Sequence, residues 1–415
     1  MPPALRYQGV VPLMDSEQTH PPAAAPASLD LPETPAGQAA RAFLHALNTA
    51  DHAAWRSFLL ERCSAQCLSD YPLKLRLFTL ATAYRASSGL LVQAIEQATP
   101  WDLSIRARPR QGAGTYRLRI RVAEESPYHV AVLDVIPCLP AVTEQVDVGG
   151  YRLALRQDGV GQPTVVLEAG MGSDGAFAWG WVFEHIAQFS HVVCYDRAGL
   201  GASDPAPTPR SCQEVVTDLH RLLVVARIAP PYVLVGHSLG GFVARLFAHR
   251  YAEQVAGLVL VDSAHEDWAT RTTAVVPSET AGEPEAVKEL RSAAAGWSVA
   301  DPAAWMEGID LRACCAQVRA TGSLGDLPLV VLSATEEGWP FPAVSADLKS
   351  AWLQESLAVQ RELARLSTQS THIVLDASES GHFIQFDRPD VVVDAVRHVV
   401  EVVRAQATRS SGGAP

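Results

Sequence analysis

Six short apolar runs recur between residues 164 and 377: TVVLE, HVVCYD, YVLVGHS, AGLVLVD, LPLVVLSA and THIVLDA. None alternates polar with apolar residues, so a strand built on any of them must be covered on both faces. Between and after them, FAWGWVFEHIAQF, SCQEVVTDLHRLLVVAR, LGGFVARLFAHRY, SAWLQESLAVQRELARLS and DVVVDAVRHVVEVVR carry apolar residues at helical spacing. Such an alternation makes parallel βαβ units, with helices on both faces of one mostly parallel sheet. EQVDVGGYRLALRQ precedes the series and reads as two strands around a Gly149-Gly150 turn. The alternation stops between residues 263 and 326 and then resumes. That places a long insertion after the sixth strand, where a lid would sit.

The rest of the chain has a different grammar. Residues 1–36 are rich in Pro and Ala and are expected to form a disordered leader. Residues 37–140 begin with the helical stretches AARAFLHALNTADHAAWRSFL and LKLRLFTLATAYRAS, followed by the alternating runs LLVQAIEQA, TYRLRIRVAE and PYHVAVLDVIP. Helices followed by an antiparallel sheet make a small α+β domain. Its order, and the Asn48-x-x-Asp51-x-x-x-Trp55 spacing, resemble the cone-shaped nuclear-transport-factor-2-like domains. Such domains serve as ligand pockets or dimerisation modules, so the resemblance implies an accessory domain and allows a homodimer through it. Residues 141–405 hold the βα series, and 406–415 read as a flexible polar tail.

Composition excludes several classes. An apolar fraction of 48% with 19% charged residues is that of a globular chain with a sizeable core. The formal charge of −12 argues against a broad nucleic-acid or anionic-membrane surface. The seven cysteines show no paired Cys/His ligand spacing, so neither metal nor cofactor is expected, and they read as reduced thiols. No secretory signal or continuous apolar span is evident, and a cytoplasmic protein without a membrane span is the expectation.

The chemistry concentrates in YVLVGHSLGG, where Gly236-His237-Ser238-Leu239-Gly240 fits G-x-S-x-G between an apolar strand and a helix. Opening a helix on Gly240 and Gly241 costs about 1 kcal/mol per glycine relative to alanine, so something at Ser238 must require it. A turn this tight holds the serine hydroxyl above the sheet edge at a helix N-terminus, where backbone N–H groups favour a developing negative charge.

Over residues 144–405 the chain resembles the α/β-hydrolase family. TVVLEAGMGSDG stands at the oxyanion loop. CYDRAGLGASD matches D-x-R-G-x-G-x-S-D with Ala198 in place of a Gly, and SGHFIQFDRPDVV matches the G-H-x-x-x-x-x-x-P segment. The resemblance implies Ser238 as nucleophile and His382 as base, in the family's chain order. For the acid it leaves two candidates. Asp262 ends LVLVD, the position used by some branches and favoured here. Glu337 occupies the commoner position in VLSATEEGW, where Ala334 replaces the usual Gly. The oxyanion donors implied are the N–H groups of Met171 and Leu239, in a loop that carries Ala169-Gly170 where the family often has His-Gly. Gly170, His237, Trp179 and Trp181 are candidate lining of a substrate pocket, with His237 expected to support the nucleophile loop.

The function this implies is hydrolysis of a small-molecule carboxylic ester through an acyl-enzyme. Lactonase, carbon–carbon bond hydrolase and cofactor-free haloperoxidase activities stay open on the same fold, and a binding protein without catalysis is disfavoured by the intact motifs. Trp268, Trp297 and Trp305 in the insertion, and Trp339 and Phe341 beyond it, are candidate walls of an apolar pocket.

Overall fold

The computed structural model describes residues 29–70, 73–111, 115–138, 142–280, 282–284, 286–288, 290–292, 306–335, 344–376 and 380–411 of the 415-residue chain. The expected leader lies outside the described residues up to residue 28. Helix α1 (Pro35–Asn48) starts slightly before the expected boundary, because Pro at the first position and the Thr34 hydroxyl, which accepts from Gly37 N–H at 3.2 Å, define the start. Asp51 caps α2 (His52–Arg62) in the same way, accepting from Ala53 N–H at 2.8 Å. Then come α3 (Ala65–Asp70) and α4 (Leu73–Ser87).

The antiparallel sheet that follows has four strands in sequence order, β1 (Leu90–Ala98), β2 (Asp102–Pro109), β3 (Thr115–Val122) and β4 (Val130–Cys138). The sequence reading counts three runs there. β2 is the addition, and its alternation is present in DLSIRARP: Leu103, Ile105 and Ala107 are buried against the helices while Arg106 and Arg108 face out. Across the outer face Arg106 and Arg117 pair with Glu96, and Arg119 pairs with Asp102.

The second sheet has eight strands in the order β12-β11-β10-β9-β7-β8-β6-β5. They are β5 (Glu144–Asp147), β6 (Arg152–Asp158), β7 (Thr164–Glu168), β8 (Val192–Tyr195), β9 (Tyr232–His237), β10 (Val255–Val261), β11 (Leu329–Ala334) and β12 (Ser370–Leu375). β5 and β6 run antiparallel to their neighbours and the other pairs are parallel. Every residue of β7, β8 and β9 is buried, as uninterrupted apolar runs demand.

FAWGWVFEHIAQF reads as one helix but forms two, α5 (Gly175–Trp179) and α6 (Phe183–Ala187). Gly180 closes α5 in helical geometry and Val182, at φ −120 and ψ −22, leaves it; a Cβ on Gly180 would lie 2.6 Å from Pro137 Cγ, so this turn sits directly against β4. The apolar core runs through this junction without interruption, from Phe43, Ile105 and Val135 to Trp181, Val235 and Phe386. α7 (Cys212–Val225) and α8 (Leu239–Arg250) cover the other face.

In the insertion, α9 (Trp268–Val275) and α10 (Leu311–Arg319) are described. α9 packs on α11 (Ala346–Ala364) through Trp268 and Trp352, whose rings meet edge to face at 5.6 Å. α10 docks on α7, where Cys212 N–H donates to Cys314 Sγ at 3.0 Å. A short α12 (Ile384–Asp387) precedes α13 (Pro389–Ser411). That last helix runs on through the expected tail, because Ala405, Gln406 and Ala407 are good helix formers. Residues 412–415 lie outside the described part. All seven cysteines are free.

Candidate active site

The carboxyl ends of β7, β9, β10, β11 and β12 lie along one edge of the sheet, and those ends and the segments leaving them carry Gly170, Met171, His237, Ser238, Leu239, Asp262 and His382. Ser238 follows β9 with φ 51 and ψ −119, a conformation that costs a non-glycine residue on the order of 1–3 kcal/mol. Its neighbours explain how that turn is held. A Cβ on Gly236 would lie 2.5 Å from Gly240 O and 2.7 Å from Gly241 N. A Cβ on Gly240 would run into Glu168 O, and one on Gly241 into the Ser263 hydroxyl. The three glycines therefore let β9 turn straight into α8 while the helix start lies against the end of β7.

His382 stands between β12 and α12, in a loop where Asp387 Oδ2 accepts from Gly381 N–H at 3.0 Å. Its Nδ1 lies 2.7 Å from Asp262 Oδ2. Asp262 Oδ1 accepts from Ala334 N–H at 3.2 Å, so both carboxylate oxygens are engaged. A ring nitrogen bonded to a carboxylate carries the proton, which leaves Nε2 as the basic atom. The two side chains are 28% and 17% exposed, so the pair is half-screened rather than dry.

His237 is fully enclosed. Its Nε2–H donates to the His382 carbonyl at 3.0 Å, which fixes its tautomer and ties the turn at Ser238 to the main chain of His382. Burial, with His382 beside it, holds this imidazole well below its ordinary pKa, so it stays neutral. Its Nδ1 has no hydrogen-bond partner and faces Gly170, where a Cβ would lie 2.7 Å away.

Beneath the loop after β7 is a buried charged cluster. Arg197 donates from Nη1 to Glu168 Oε1 at 2.8 Å and to Ala169 O at 2.6 Å. From Nη2 it donates to Gly170 O at 2.6 Å and to Glu307 Oε1 at 2.7 Å, and from Nε to Glu307 Oε2 at 2.6 Å. The Tyr195 hydroxyl donates to Glu168 Oε2 at 2.6 Å. Burial raises the Glu168 carboxyl above the usual range against the pull of Arg197. Asp196 next door pairs with Arg156 at 2.8 Å and accepts from Gly175 N–H and Ala202 N–H, fixing the start of α5. CYDRAGLGASD thus braces the loop at residues 169–172. Glu168 falls within TVVLEAGMGSDG and Arg197 within CYDRAGLGASD, whereas Glu307, in the insertion, carries no sequence signal.

The structure brings Ser238, His237, Leu239, Gly170, Met171, Asp262 and His382 to one edge. It does not bring Trp179 and Trp181 there. Trp179 is fully buried in the core, and Trp181 packs on the Tyr116 ring at 5.5 Å. Trp181 lines a cavity of about 240 Å³ between α4, β4, α5 and α12, together with Phe177 and Phe386. Glu337, Trp297, Trp305, Trp339 and Phe341 lie outside the described residues. Among the described residues no cluster of His, Cys, Asp and Glu could hold a metal ion, and no helix is long and apolar enough to cross a membrane.

Residues 165–395 match the model of the Alpha/beta hydrolase family. The chain is 30% identical over 236 residues to the uncharacterized protein YqjL of Bacillus subtilis (strain 168), across 57% of this chain and 83% of that protein. It is 24% identical over 287 residues to an AB hydrolase superfamily protein of Gibberella zeae, across 59% of this chain and 88% of the relative. Among solved structures, a thermophilic esterase from Thermogutta terrifontis is 21% identical with a TM-score of 0.40, covering 62% of this chain and 97% of its own. An alpha/beta hydrolase fold protein from Burkholderia ambifaria is 20% identical with a TM-score of 0.44, covering 62% of this chain and 98% of its own. With more than half its length in that family model and the eight-stranded sheet in place, the chain belongs to the alpha/beta hydrolase family.

Proposed function

We propose that the protein is a serine hydrolase that cleaves a small-molecule carboxylic ester. The observation that carries the reading is the 2.7 Å contact from His382 Nδ1 to Asp262, made one loop away from a serine held at positive φ. Ser238 Oγ attacks the ester carbonyl and gives its proton to His382 Nε2. The Met171 and Leu239 N–H groups take the negative charge of the tetrahedral intermediate. Its collapse breaks the carbon–alkoxide bond, and the alkoxide leaves with the proton held by His382. Water, deprotonated by the same nitrogen, then attacks the acyl-enzyme and releases the acid and free Ser238. Asp262 holds the imidazole tautomer and supports the imidazolium. On this reading a hydrogen bond from Ser238 Oγ to His382 Nε2 forms when substrate binds.

The test is a chromogenic ester read in the first turnovers. A burst of alcohol stoichiometric with enzyme, lost in Ser238→Ala together with fluorophosphonate labelling, is the expected result. Turnover in Ser238→Ala equal to wild type would refute the reading.

A further inference from the structure

The loop after β7 supplies one of the two oxyanion donors, and three of its polar groups are already spent. Ala169 O and Gly170 O both accept from Arg197 at 2.6 Å, and Gly172 N–H donates to Glu307 Oε1 at 2.7 Å. Between them, among the described residues, Met171 N–H donates to no protein group. In a planar trans peptide the carbonyl and the following N–H point in opposite directions. The guanidinium that draws Gly170 O inward therefore turns Met171 N–H outward. Peptide orientation at the candidate oxyanion hole is set by Arg197.

Arg197 is in turn set by Glu307. That carboxylate takes the guanidinium's Nε and Nη2 with one oxygen each, a bidentate pair with both side chains 2% exposed. Glu307 comes from the insertion, and it reaches inward from a left-handed backbone, φ 65 and ψ 0. Non-glycine residues hold that conformation only where surrounding structure imposes it. Here the imposing contacts are the hydrogen bonds Arg210 N–H to Gly308 O at 2.8 Å and Asp310 N–H to Arg210 O at 2.7 Å, which pin the chain on the far side of Glu307.

The geometry points to Glu307 as a positioning residue of the oxyanion hole: the insertion, through Glu307 and Arg197, fixes the direction of the Met171 N–H. The role rests on the hydrolase reading above. It makes the insertion part of the catalytic apparatus rather than only a cover, because movement of residues 306–310 would release the donor.

The experiment compares wild type with Glu307→Gln, which keeps the shape but offers one acceptor where two are used. Losing a positioned oxyanion donor outright costs about 10²- to 10³-fold in kcat, so a donor left in place but misdirected should cost roughly 10- to 100-fold. KM should stay within about threefold, since the donor acts on the tetrahedral state. Inhibition by phenylboronic acid, which forms a tetrahedral adduct on Ser238, should weaken by the same factor as kcat. Hydrogen exchange of the peptide spanning 167–175 should quicken. A variant with lowered thermal stability but unchanged kcat and unchanged boronate inhibition would overturn the positioning role. If Glu307→Gln does not fold, Glu307→Asp, which keeps the charge on a shorter stem, is read by the same two measures. Failure of fluorophosphonate to label Ser238 in wild type defeats the hydrolase reading and this role with it. A labelled wild type beside an unaffected variant defeats this role alone.

Discussion

Replacing Asp262 by Asn tests the site where its geometry is most specific. The backbone there has φ 37, which Asn adopts about as readily as Asp, so the substitution adds little strain. The difficulty is acceptor arithmetic. Both carboxylate oxygens accept, from His382 Nδ1 at 2.7 Å and from Ala334 N–H at 3.2 Å, and an amide has one oxygen. If the amide oxygen faces His382, its NH2 meets Ala334 N–H donor to donor. The tautomer survives but the negative charge beside the developing imidazolium is gone. For unit charges about 4 Å apart in this half-exposed setting, at an effective dielectric of about 20, that is about 4 kcal/mol, or about 10³-fold. If the amide turns over, its NH2 faces Nδ1, the proton moves to Nε2, and the base is lost. Removal of the triad acid in the serine proteases costs about 10⁴-fold. Asp262→Asn should therefore fall by about 10³- to 10⁴-fold in kcat on a chromogenic ester, measured on protein whose thermal transition matches wild type. Activity within about tenfold of wild type would refute Asp262 as the orienting acid and leave Glu337, for which Glu337→Gln is the decisive variant.

Ser238→Ala and Ser238→Gly should both lose about 10³-fold or more of ester turnover. Glycine accepts the elbow's positive φ, so Ser238→Gly should unfold at higher temperature than Ser238→Ala; the reverse order would show the elbow is not strained. Gly240→Ala places a methyl group against Glu168 O and 2.8 Å from Ala169 O, both main chain. An overpacking penalty of about 1–3 kcal/mol should exceed any helix-propensity gain and appear as a lowered denaturant midpoint with reduced turnover. His237, held neutral by burial, takes no proton in the folded state where an unfolded imidazole does below about pH 6.5. The unfolded state then binds the extra proton, so stability should fall as pH drops below that value, by at most about 1.4 kcal/mol per pH unit from this residue. The difference in unfolding free energy between wild type and His237→Gln, followed from about pH 8 to about pH 5.5, isolates that slope. A difference that does not change with pH would show that His237 titrates normally.

The fold was legible where each strand declared its own burial. Uninterrupted runs such as TVVLE and YVLVGH have no polar face to offer solvent, so a two-sided parallel sheet follows from them without tertiary information. The α5–α6 break was not legible, because Gly180 itself stays helical and the chain departs only at Val182, an ordinary apolar residue. β2 was legible in principle from Leu103, Ile105 and Ala107, but its arginines mask the alternation at the level of composition.

For the site, the same division runs between local and distant constraint. The elbow is spelled out within a few residues, since the glycines that permit Ser238 must lie where the turn is. The His382–Asp262 pair spans 120 positions but falls at strand ends, and a βα series dictates which strand ends are neighbours. Glu307 is 135 positions from Gly172 and lies on no strand, inside an insertion whose path nothing in the βα alternation dictates. Its acidic side chain there is indistinguishable in sequence from a solvated surface charge. What distinguishes it is a buried arginine already holding two backbone carbonyls, whose remaining donors must be met by an acceptor because an unpaired guanidinium at 2% exposure is too costly to leave. The donors of a buried loop therefore demand an acceptor that motif spacing does not announce, and here it comes from the least regular part of the chain.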